Sequence, residues 1–400
     1  MKVAILSYTF PRGMGYIGNM LPKYLARFGA DVHYITMDLP HYFQSGMSAS
    51  SYGQFSGTDV VKPGTVESVD GYTLHGLAHR SRLGQMGYVG LADKLASIRP
   101  DVVHSLLAIG WPPLEAAFLS RRQGFRLFTA NHTTASVFPL AQPGRPSLDP
   151  ALARNLVTRY LPGRFISLHT TKCYAATRDC ADVAIRFFGV EREKVDIIPL
   201  GVDTDLFHPV RSEADAAARR ETRARLGIGE ADVVCVYTGQ FTEAKNPALL
   251  AQAVDKLDRK GVSIKGLFIG NGPQAEQLRG FRSAIVLGFM QNRELPEYYR
   301  AGDIGVWPTQ ESTSMLDAAA CGLPIVVNDT LQAVERIDGN GITYRLGDVD
   351  SLVAAIERLL APAQRTQLGD TGARRMSEHF SWADLARRRL ADFEASLPAR

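Results

Sequence analysis

The densest group of chemically capable side chains lies between Trp307 and Val326, in the sequence WPTQESTSMLDAAACGLPIV. An apolar strand is followed by a polar loop with Glu311, then by a helix of small residues that includes Asp317, and finally by a second apolar strand. Amide N–H groups at a helix start attract a phosphate, and carboxylates accept hydrogen bonds from hydroxyls. The stretch therefore predicts a site for an anionic ligand that carries hydroxyls, such as a sugar nucleotide.

Both acids also have simpler structural interpretations. Ser314-Met-Leu-Asp317 matches a capping box, in which Asp317 would only cap its own helix. Glu311 would then be a solvated acid in a loop.

Lys245-Asn246-Pro247 follows an apolar strand and opens the first helix of the second half. Asn246 is a predicted N-cap and Pro247 a predicted first helical residue. An ammonium at this place, just past a strand end, suits a pyrophosphate, because open α/β sheets bind ligands there. The alternative is a solvated surface lysine.

A glycine-rich segment, Gly13-Met-Gly-Tyr-Ile-Gly18, matches the G-x-G-x-x-G fingerprint of dinucleotide-binding domains. Thr9-Phe-Pro-Arg12 separates it from the first strand, whereas the fingerprint follows its strand directly. We therefore favour a flexible loop that closes over a substrate between two domains. A tight turn and, remotely, an NAD-dependent oxidoreductase are the alternatives.

Three weaker candidates follow other predicted strands. His132 ends the strand that contains Leu127–Thr129, where an imidazole can face a cleft or be structural. Gly272, in Gly-Asn-Gly-Pro, allows close backbone approach, and the main chain of Met290 could meet a nucleobase. Plain turns explain these last two equally well.

Two D-x-D sequences, Asp203-Thr-Asp205 and Asp348-Val-Asp350, match a metal–diphosphate pattern. The first lies in a connecting turn and the second at a helix start, so we interpret both as turn acids. We predict no metal and no cofactor.

Composition limits the class of protein. Four hundred residues predict two domains, and the net charge of +4 combines +7 in residues 1–200 (21 Lys/Arg, 14 Asp/Glu) with −3 in residues 201–400 (24 Lys/Arg, 27 Asp/Glu). The basic residues are not interleaved with stacking aromatics, which argues against nucleic acid. Scattered solvating charge and contact with an anionic membrane remain as interpretations.

Targeting and redox signals are few. The four cysteines form no C-x-x-C pair, no signal peptide is recognised, and no run of about 20 apolar residues occurs. We expect a cytoplasmic protein, with peripheral contact at the inner face of the membrane as a hypothesis.

The elements that must position these residues repeat a β-α alternation in each half, which implies parallel sheets covered on both faces. The segment Asp205–Glu230 separates the halves. Cys173–Phe188 is predicted as one helix, and Tyr42–Gly64 and Ser136–Leu152 as long loops on the acceptor side, although inert surface loops explain them as well.

These residues together resemble the glycosyltransferases of family 4, over nearly the whole chain. Beyond the glycine-rich loop and the region of His132, the resemblance rests on four blocks and on the closing helix that follows Phe380-Ser-Trp382. The blocks are IPLGVDTDLF (198–207), YTGQFTEAKNP (237–247), FIGNGP (268–273) and DAAACGLP (317–324). It implies α/β GT-B architecture, two Rossmann-like domains with parallel sheets that face a cleft. Residues 1–208 would form the acceptor-side domain, 209–378 the nucleotide-sugar domain, and 379–400 a helix that crosses back.

The resemblance also implies an activity: retaining transfer of a sugar from a nucleotide-diphosphate sugar, without a metal. A UDP-sugar is favoured over a GDP-sugar, and the acceptor would be a glycan, a lipid-linked molecule or a small molecule, as in polysaccharide biosynthesis. Lys245 would bind the diphosphate and Asp317 the ribose, with His132, Lys245 and Glu311 as catalytic residues. The implied donor site comprises Gly15, Gln240, Lys245, Gly272, Met290, Glu311, Ser312, Thr313, Ser314, Met315 and Asp317.

The chain departs from the family pattern twice. Gln240 stands where the family has an arginine, and an amide cannot make the bidentate ion pair of a guanidinium. Arg12 is a candidate substitute. The two acids are two residues closer than the family's pair, so Asp317 is the safer assignment. An epimerase or a donor-binding pseudoenzyme of the same fold is the alternative function.

Overall fold

The computed structural model of the chain describes residues 1–40, 60–82, 85–141, 150–309, 312–331 and 334–398. Strands and helices alternate in both halves and build two mainly parallel sheets, as predicted, while residues 79–82 and 85–88 form a separate antiparallel pair. The strands of the first half are β1 (Lys2–Ser7), β2 (Asp31–Met37), β3 (Val66–Val69), β4 (Tyr72–Leu77), β5 (His79–Arg82), β6 (Gln85–Tyr88), β7 (Val102–Ser105), β8 (Arg126–Asn131), β9 (Thr170–Ala175) and β10 (Val195–Ile197). Its helices are α1 (Ile17–Arg27), α2 (Leu91–Ile98), α3 (Trp111–Gln123), α4 (Pro150–Asn155), a π-helical segment (Leu156–Tyr160), α5 (Leu161–His169) and α6 (Arg178–Phe188).

The first sheet has the order β10-β9-β8-β7-β1-β2-β4-β3, and β3 runs antiparallel to β4. Along β1, Val3 and Ile5 pack on one face, while Ala4 and Leu6 pack on the other. This period of two buries every residue of the strand interior, because helices cover both faces. Residues of α3 and α5 belong to the core on the Ala4 side.

The second sheet has the order β13-β12-β11-β14-β15-β16, with parallel pairing throughout its described strands. Its strands are β11 (Val233–Gln240), β12 (Ile264–Asn271), β13 (Ala284–Leu287), β14 (Ile304–Trp307), β15 (Ile325–Asn328) and β16 (Gly341–Tyr344). The helices are α7 (Glu213–Arg225), α8 (Pro247–Arg259), α9 (Ala275–Arg279), α10 (Leu295–Ala301), α11 (Ser314–Ala320), α12 (Val349–Glu357), α13 (Pro362–His379) and α14 (Trp382–Ser396).

The chain crosses between the domains twice, and the two crossings pair with each other. The N–H of Val202 donates to the carbonyl of Phe380 at 2.8 Å, and the N–H of Trp382 donates to the carbonyl of Val202 at 3.0 Å. Beyond this bridge α14 returns to the first domain, where Trp382 and Phe393 join its core. Val202 and Phe207 already pack in the second core, and the boundary at residue 208 stays a prediction.

Local structure differs from prediction in three places. Residues 170–175 form β9, and the helix predicted over Cys173–Phe188 starts only at Arg178, because a strand is needed between β8 and β10. Ser314 is the first residue of α11 and makes no capping box; Thr313 precedes it in helical conformation. Asn246 is the N-cap of α8, but it is left-handed (φ 47°) and makes no side-chain cap bond.

The two predicted long loops, Tyr42–Gly64 and Ser136–Leu152, fall largely outside the described residues. No helix in the described ranges has both the length and the apolar character that a bilayer crossing requires.

Candidate functional site

An open cavity lies between the two domains, at the carboxyl ends of β11 and β12. The first domain and its crossing contribute Met14, Gly15, Tyr16 and Gly201. The second domain contributes Thr238, Gly239, Gln240, Ile269, Gly270, Asn271, Phe289, Met290, Asn292, Leu295, Ser312, Thr313, Ser314 and Asp317. The carboxyl edge of a parallel sheet is where open α/β folds bind ligands, so this cavity is the candidate site.

The structure brings most of the predicted donor residues to this wall. Those on it are Gly15, Gln240, Met290, Ser312, Thr313, Ser314 and Asp317. Lys245, Gly272 and Met315 are not among the residues that line it, and Glu311 lies outside the described residues. A Cβ on Gly272 would lie 2.6 Å from the carbonyl oxygen of Phe241, so this glycine serves backbone packing.

Hydrogen bonds anchor the loop before α11 to the end of β11. The indole N–H of Trp307 contacts the Thr238 carbonyl and Ser314 Oγ, each at 3.1 Å. Ser314 Oγ also lies 2.6 Å from Ser312 Oγ, and Thr238 Oγ1 lies 2.6 Å from the hydroxyl of Tyr299. The serine hydroxyls are thereby held at the cavity wall.

The backbone amides of this loop are less available than the sequence suggested. The N–H of Met315 donates to the Ser312 carbonyl at 3.3 Å, and the Met315 side chain is buried in the core. The N–H of Ser314 donates to Ser312 Oγ at 3.3 Å. Because α11 has only seven residues, its dipole supplies little attraction for a phosphate.

Asp317 is the one acidic residue among the described residues that line the first cavity. Burial, and then the charge of Asp203, raises the pKa of Asp317 to about 8. Asp203 accepts hydrogen bonds from Lys23 Nζ and from the hydroxyl of Tyr24, both at 2.7 Å, and so ties α1 to the crossing. A neutral carboxyl near pH 7 both donates and accepts hydrogen bonds, which suits a pair of hydroxyls.

The predicted turn acids all have partners, and several of these partners are distant in sequence. Besides the contacts of Asp203, Asp205 pairs with Arg27, and Asp348 caps α12 by accepting from the Ser351 N–H at 3.0 Å. Within the described ranges no three His, Cys, Asp or Glu side chains are grouped so that they could hold a metal ion. The absence of a metal requirement stays a prediction.

The glycine-rich loop is closed onto the second domain. The N–H of Asn292 donates to the carbonyl of Gly13 at 3.0 Å. A Cβ built on Gly15 would lie 2.6 Å from Asn292 Oδ1, so only glycine permits this contact with the present side-chain position. The contact of Asn292 with the glycine-rich loop could not be predicted from the sequence, because no motif links residue 292 to residues 13–15.

Thr238, Asn271 and Phe289 also line the cavity without having been predicted. Thr238 and Asn271 lie within the last residues of β11 and β12, and Phe289 follows β13, so their position at the carboxyl ends of parallel strands was the available signal. Gln240 is directly opposite Asn271 in the sheet register, which places both at the same depth of the wall.

The cationic group expected for a diphosphate is not on the wall. Lys245 is half-buried beside the start of α8. Arg12, the candidate substitute, forms an ion pair with Glu67 and lies 5.8 Å from the ring centroid of Phe10. The described residues that line the cavity include no Lys or Arg.

A second open cavity adjoins the first on the side of the first domain. Gly15, Tyr16, Gly201 and Thr313 line both cavities, and His132 lines the second. Its described wall contains no Lys, Arg, Asp or Glu. A ligand part that enters here therefore meets hydroxyls, an imidazole and apolar side chains.

His132 is held neutral by its surroundings. Burial, and then the charge of Arg389, lowers the pKa of His132 to about 4. Arg389 comes from α14, is fully buried, and lies 5.1 Å from the ring centroid of Tyr174. The returning helix thus places a cation behind the imidazole, which keeps it available to donate one hydrogen bond and accept another near pH 7.

Two family descriptions match successive parts of the chain. Residues 13–206 match Glycosyltransferase Family 4, and residues 232–362 match Glycosyl transferases group 1. A D-inositol 3-phosphate glycosyltransferase of Geodermatophilus obscurus is 31% identical over 306 residues, which are 70% of this chain and 63% of the relative. The match thus spans less than two thirds of that relative's length.

Solved structures with the same fold cover the whole chain. A sucrose-phosphate synthase from Thermosynechococcus elongatus superimposes with a TM-score of 0.70, 16% identity and coverage of 99% of this chain and 98% of that one. Anabaena HepE, solved with UDP, gives a TM-score of 0.69, 16% identity and coverage of 99% and 100%. The chain thus consists of a Glycosyltransferase Family 4 domain followed by a Glycosyl transferases group 1 domain, in a GT-B architecture of two Rossmann-like domains.

Proposed function

We propose that this protein transfers a sugar, with retention of configuration and without a metal, from a nucleotide-diphosphate sugar to a glycan or lipid-linked acceptor. One observation carries the proposal: the cavity between the domains combines Asp317, the hydroxyl side chains of Ser312, Thr313 and Ser314, and the closed loop at Gly15. The ribose would bond to Asp317, and the second cavity would receive the acceptor.

The uncharged wall of the second cavity limits what enters it. The described lining has no cation. The part of the acceptor at the reaction centre should therefore be uncharged, namely a sugar or alcohol hydroxyl that forms a hydrogen bond with His132. A phosphate on the acceptor, as the name of the Geodermatophilus relative implies for that protein, would lack a counter-charge here.

For the mechanism we propose attack on the same face as the departing diphosphate, whose oxygen accepts the acceptor proton. Asp317 is the one Asp or Glu in the described lining of the two cavities, and its proposed bond to ribose leaves it away from the sugar carbon. Trapping a glycosyl-enzyme on a carboxylate, detected by mass spectrometry of a peptide digest, would overturn this mechanism.

The donor is tested by thermal shift with UDP, GDP, ADP and their sugars. A ligand that binds only the folded chain raises its stability by RT ln(1 + [L]/Kd), about 2.7 kcal/mol at a hundredfold excess over Kd. We expect the largest shift with UDP, because HepE, which shares the fold, was solved with that nucleotide. A larger shift with GDP would reverse the base assignment.

Lys245 is the remaining candidate for the diphosphate, and its side chain must turn toward the cavity to act. Lys245→Ala should abolish transfer while leaving the unfolding temperature unchanged. Lys62→Ala, which removes an exposed lysine of the first domain, is the matched control. Full activity of Lys245→Ala would remove this lysine from the mechanism.

A second function is favoured by one observation, the absence of Lys and Arg from the described cavity wall together with Gln240. A chain that binds the donor without transferring its sugar would have this wall. Clear nucleotide binding with no product across acceptor screens, in both vesicle and soluble assays, would select this alternative.

A further inference from the structure

The outer surface of the first domain carries exposed apolar side chains in a row. On α3, Phe118 is 59% exposed, and on α5, Leu168 is 61% exposed. Leu161 lies on the same side of α5, and Leu156 and Val157 precede it in the π-helical segment, all exposed. Single exposed apolar residues are ordinary, but this group occupies one surface.

Contacts between the two helices make this surface continuous. The rings of Phe118 and Phe165 lie 4.6 Å apart, so α3 and α5 meet side by side. Leu161, Arg164 and Leu168 follow at spacings of three and four, which places them on one face of α5. Phe118, Arg121 and Arg122 share the exposed face of α3 in the same way. We name these six residues the docking face.

The segments that contain α3 and α5 carry mostly positive charge. Residues 111–126 and 150–169 contain six arginines (121, 122, 126, 154, 159 and 164) and one acid, the half-buried Glu115. Arg164 pairs with Glu191 at 3.1 Å. The other five arginines form no ion pair with any residue that the structure describes.

An open cavity lies beside Leu168, and its lining includes Arg121, Arg126 and His169. His169 Nδ1 lies 3.0 Å from the carbonyl oxygen of Phe165, which leaves Nε2 for another partner. No carboxylate is among its described lining residues. Two guanidinium groups and an imidazole around one opening suit a phosphate group.

We propose that the docking face binds an anionic lipid bilayer, with Phe118, Leu161 and Leu168 inserted among the lipids and the arginines on the headgroup phosphates. Arginines attract anionic headgroups, and apolar side chains enter the boundary between headgroups and acyl chains. The binding itself is independent of the proposed transfer; it would bring a lipid-linked acceptor to the enzyme only if that function holds.

Charge complementarity selects the bilayer over a second copy of the chain. Two docking faces brought together would oppose arginine to arginine, which is repulsive, because Glu191 already pairs with Arg164 and the structure describes no carboxylate paired with the other arginines of the face. An acidic protein partner would also satisfy the charges. Absence of binding to anionic vesicles would favour that partner and overturn the proposal.

The test is co-sedimentation with vesicles of phosphatidylcholine alone, and of phosphatidylcholine with about one third phosphatidylglycerol. We expect binding to the anionic vesicles only. Arg121→Gln with Arg122→Gln should weaken it roughly 30-fold, since each surface arginine contributes about 1 kcal/mol. Arg358→Gln with Arg374→Gln removes the same charge from exposed sites of the second domain and should bind as the unchanged protein does.

A probe locates the contact. The four native cysteines are buried, so Leu168→Cys can be labelled selectively with an environment-sensitive fluorophore. Its emission should shift to the blue on anionic vesicles, whereas a label at Leu346→Cys, also exposed, should not respond.

Three results would overturn the proposal: no binding to anionic vesicles, equal loss in both arginine pairs, or no response of the Leu168 label. The nucleotide thermal shift is measured on the same samples. A failure of nucleotide binding with intact vesicle binding would count against the proposed function and leave the docking face standing.

Discussion

The main-chain N–H of Asn292 donates to the carbonyl of Gly13 at 3.0 Å, and this bond joins the glycine-rich loop of one domain to the other domain. The same asparagine side chain occupies the space that a Cβ of Gly15 would need. Closure of the cavity therefore requires that residue 15 has no side chain, and it is stabilised by the hydrogen bond from the Asn292 main chain.

Gly15→Ala should impair closure, because its Cβ would lie 2.6 Å from Asn292 Oδ1. The φ of Gly15 is not in the left-handed region, so the effect should come from this contact alone. We expect a loss of roughly tenfold in kcat/KM, about 1.4 kcal/mol. In an Asn292→Ala background the same change should have a smaller effect, and an unaltered penalty in that double variant would contradict the steric cause.

Gln240→Arg should strengthen donor binding, because it adds a guanidinium to a wall that has no cation among its described residues. A charge-assisted bidentate bond to a diphosphate contributes about 1.5–3 kcal/mol, or on the order of tenfold to a hundredfold in affinity. Titration calorimetry with UDP measures it, with Gln240→Met as the uncharged control. Equal affinity for all three proteins would show that the diphosphate lies elsewhere.

Asp317→Asn should stabilise the empty protein at neutral pH. Since the folded pKa is about 8 and the ordinary value is 3.8, the folded state binds the proton more tightly, and stability falls as pH rises from about 4 to about 8. The asparagine variant does not titrate, so its free energy of unfolding should exceed that of the unchanged protein by an amount that grows over this pH range. The expected difference is roughly 2 kcal/mol, a value reduced because Asp317 is partly exposed to solvent.

Thermal unfolding of both proteins from about pH 4 to pH 9 checks this expectation. A constant difference across that range would mean that Asp317 has no raised pKa. With UDP present the order should reverse, because the variant loses its bond to the ribose.

His104→Phe should reduce acid sensitivity. His104 is fully buried, neither ring nitrogen has a hydrogen-bond partner among the described residues, and burial lowers its pKa well below 6.5. The unfolded chain therefore binds a proton that the folded chain excludes, and stability falls as pH decreases below 6.5 by up to about 1.4 kcal/mol per pH unit. Phenylalanine should pack between Tyr174 and Phe393, the present ring neighbours.

Acid unfolding followed by circular dichroism compares this variant with His379→Gln, which changes an exposed histidine. The midpoint should move to lower pH in His104→Phe alone. Equal midpoints would mean that the buried imidazole contributes nothing to acid unfolding.

Much of the architecture was predictable because it depends on local periodicity. The alternation of apolar runs with amphipathic segments predicted two parallel sheets, and the glycines and prolines marked most element ends. The prediction failed over Cys173–Ala175, where residues that also fit a helix pattern are recruited as β9 by pairing with β8. Sheet pairing is non-local, so a short segment between two strands has no local signal for it.

The candidate site likewise has residues whose position could be predicted from sequence and residues whose position could not. The residues past the ends of β11, β12 and β14 could be placed on one edge from sequence, since parallel strands bring their carboxyl ends together. That reasoning could not place Lys245 off the described wall or pair Arg12 with Glu67. Nor could it bring Arg389 behind His132, because side-chain direction and burial depend on packing between distant segments.

The spacing of residues along the chain is enough to predict most of the elements, their order and the side chains available at the strand ends. The chemical state and the contacts of those side chains depend on the folded structure. Burial raises the pKa of the Asp317 carboxyl and keeps the His132 imidazole neutral, and Gly15 makes the contact that closes the cavity. The physical reason is that desolvation, the field of a distant charge such as Asp203 or Arg389, and a steric contact all exist only when residues far apart in sequence lie together.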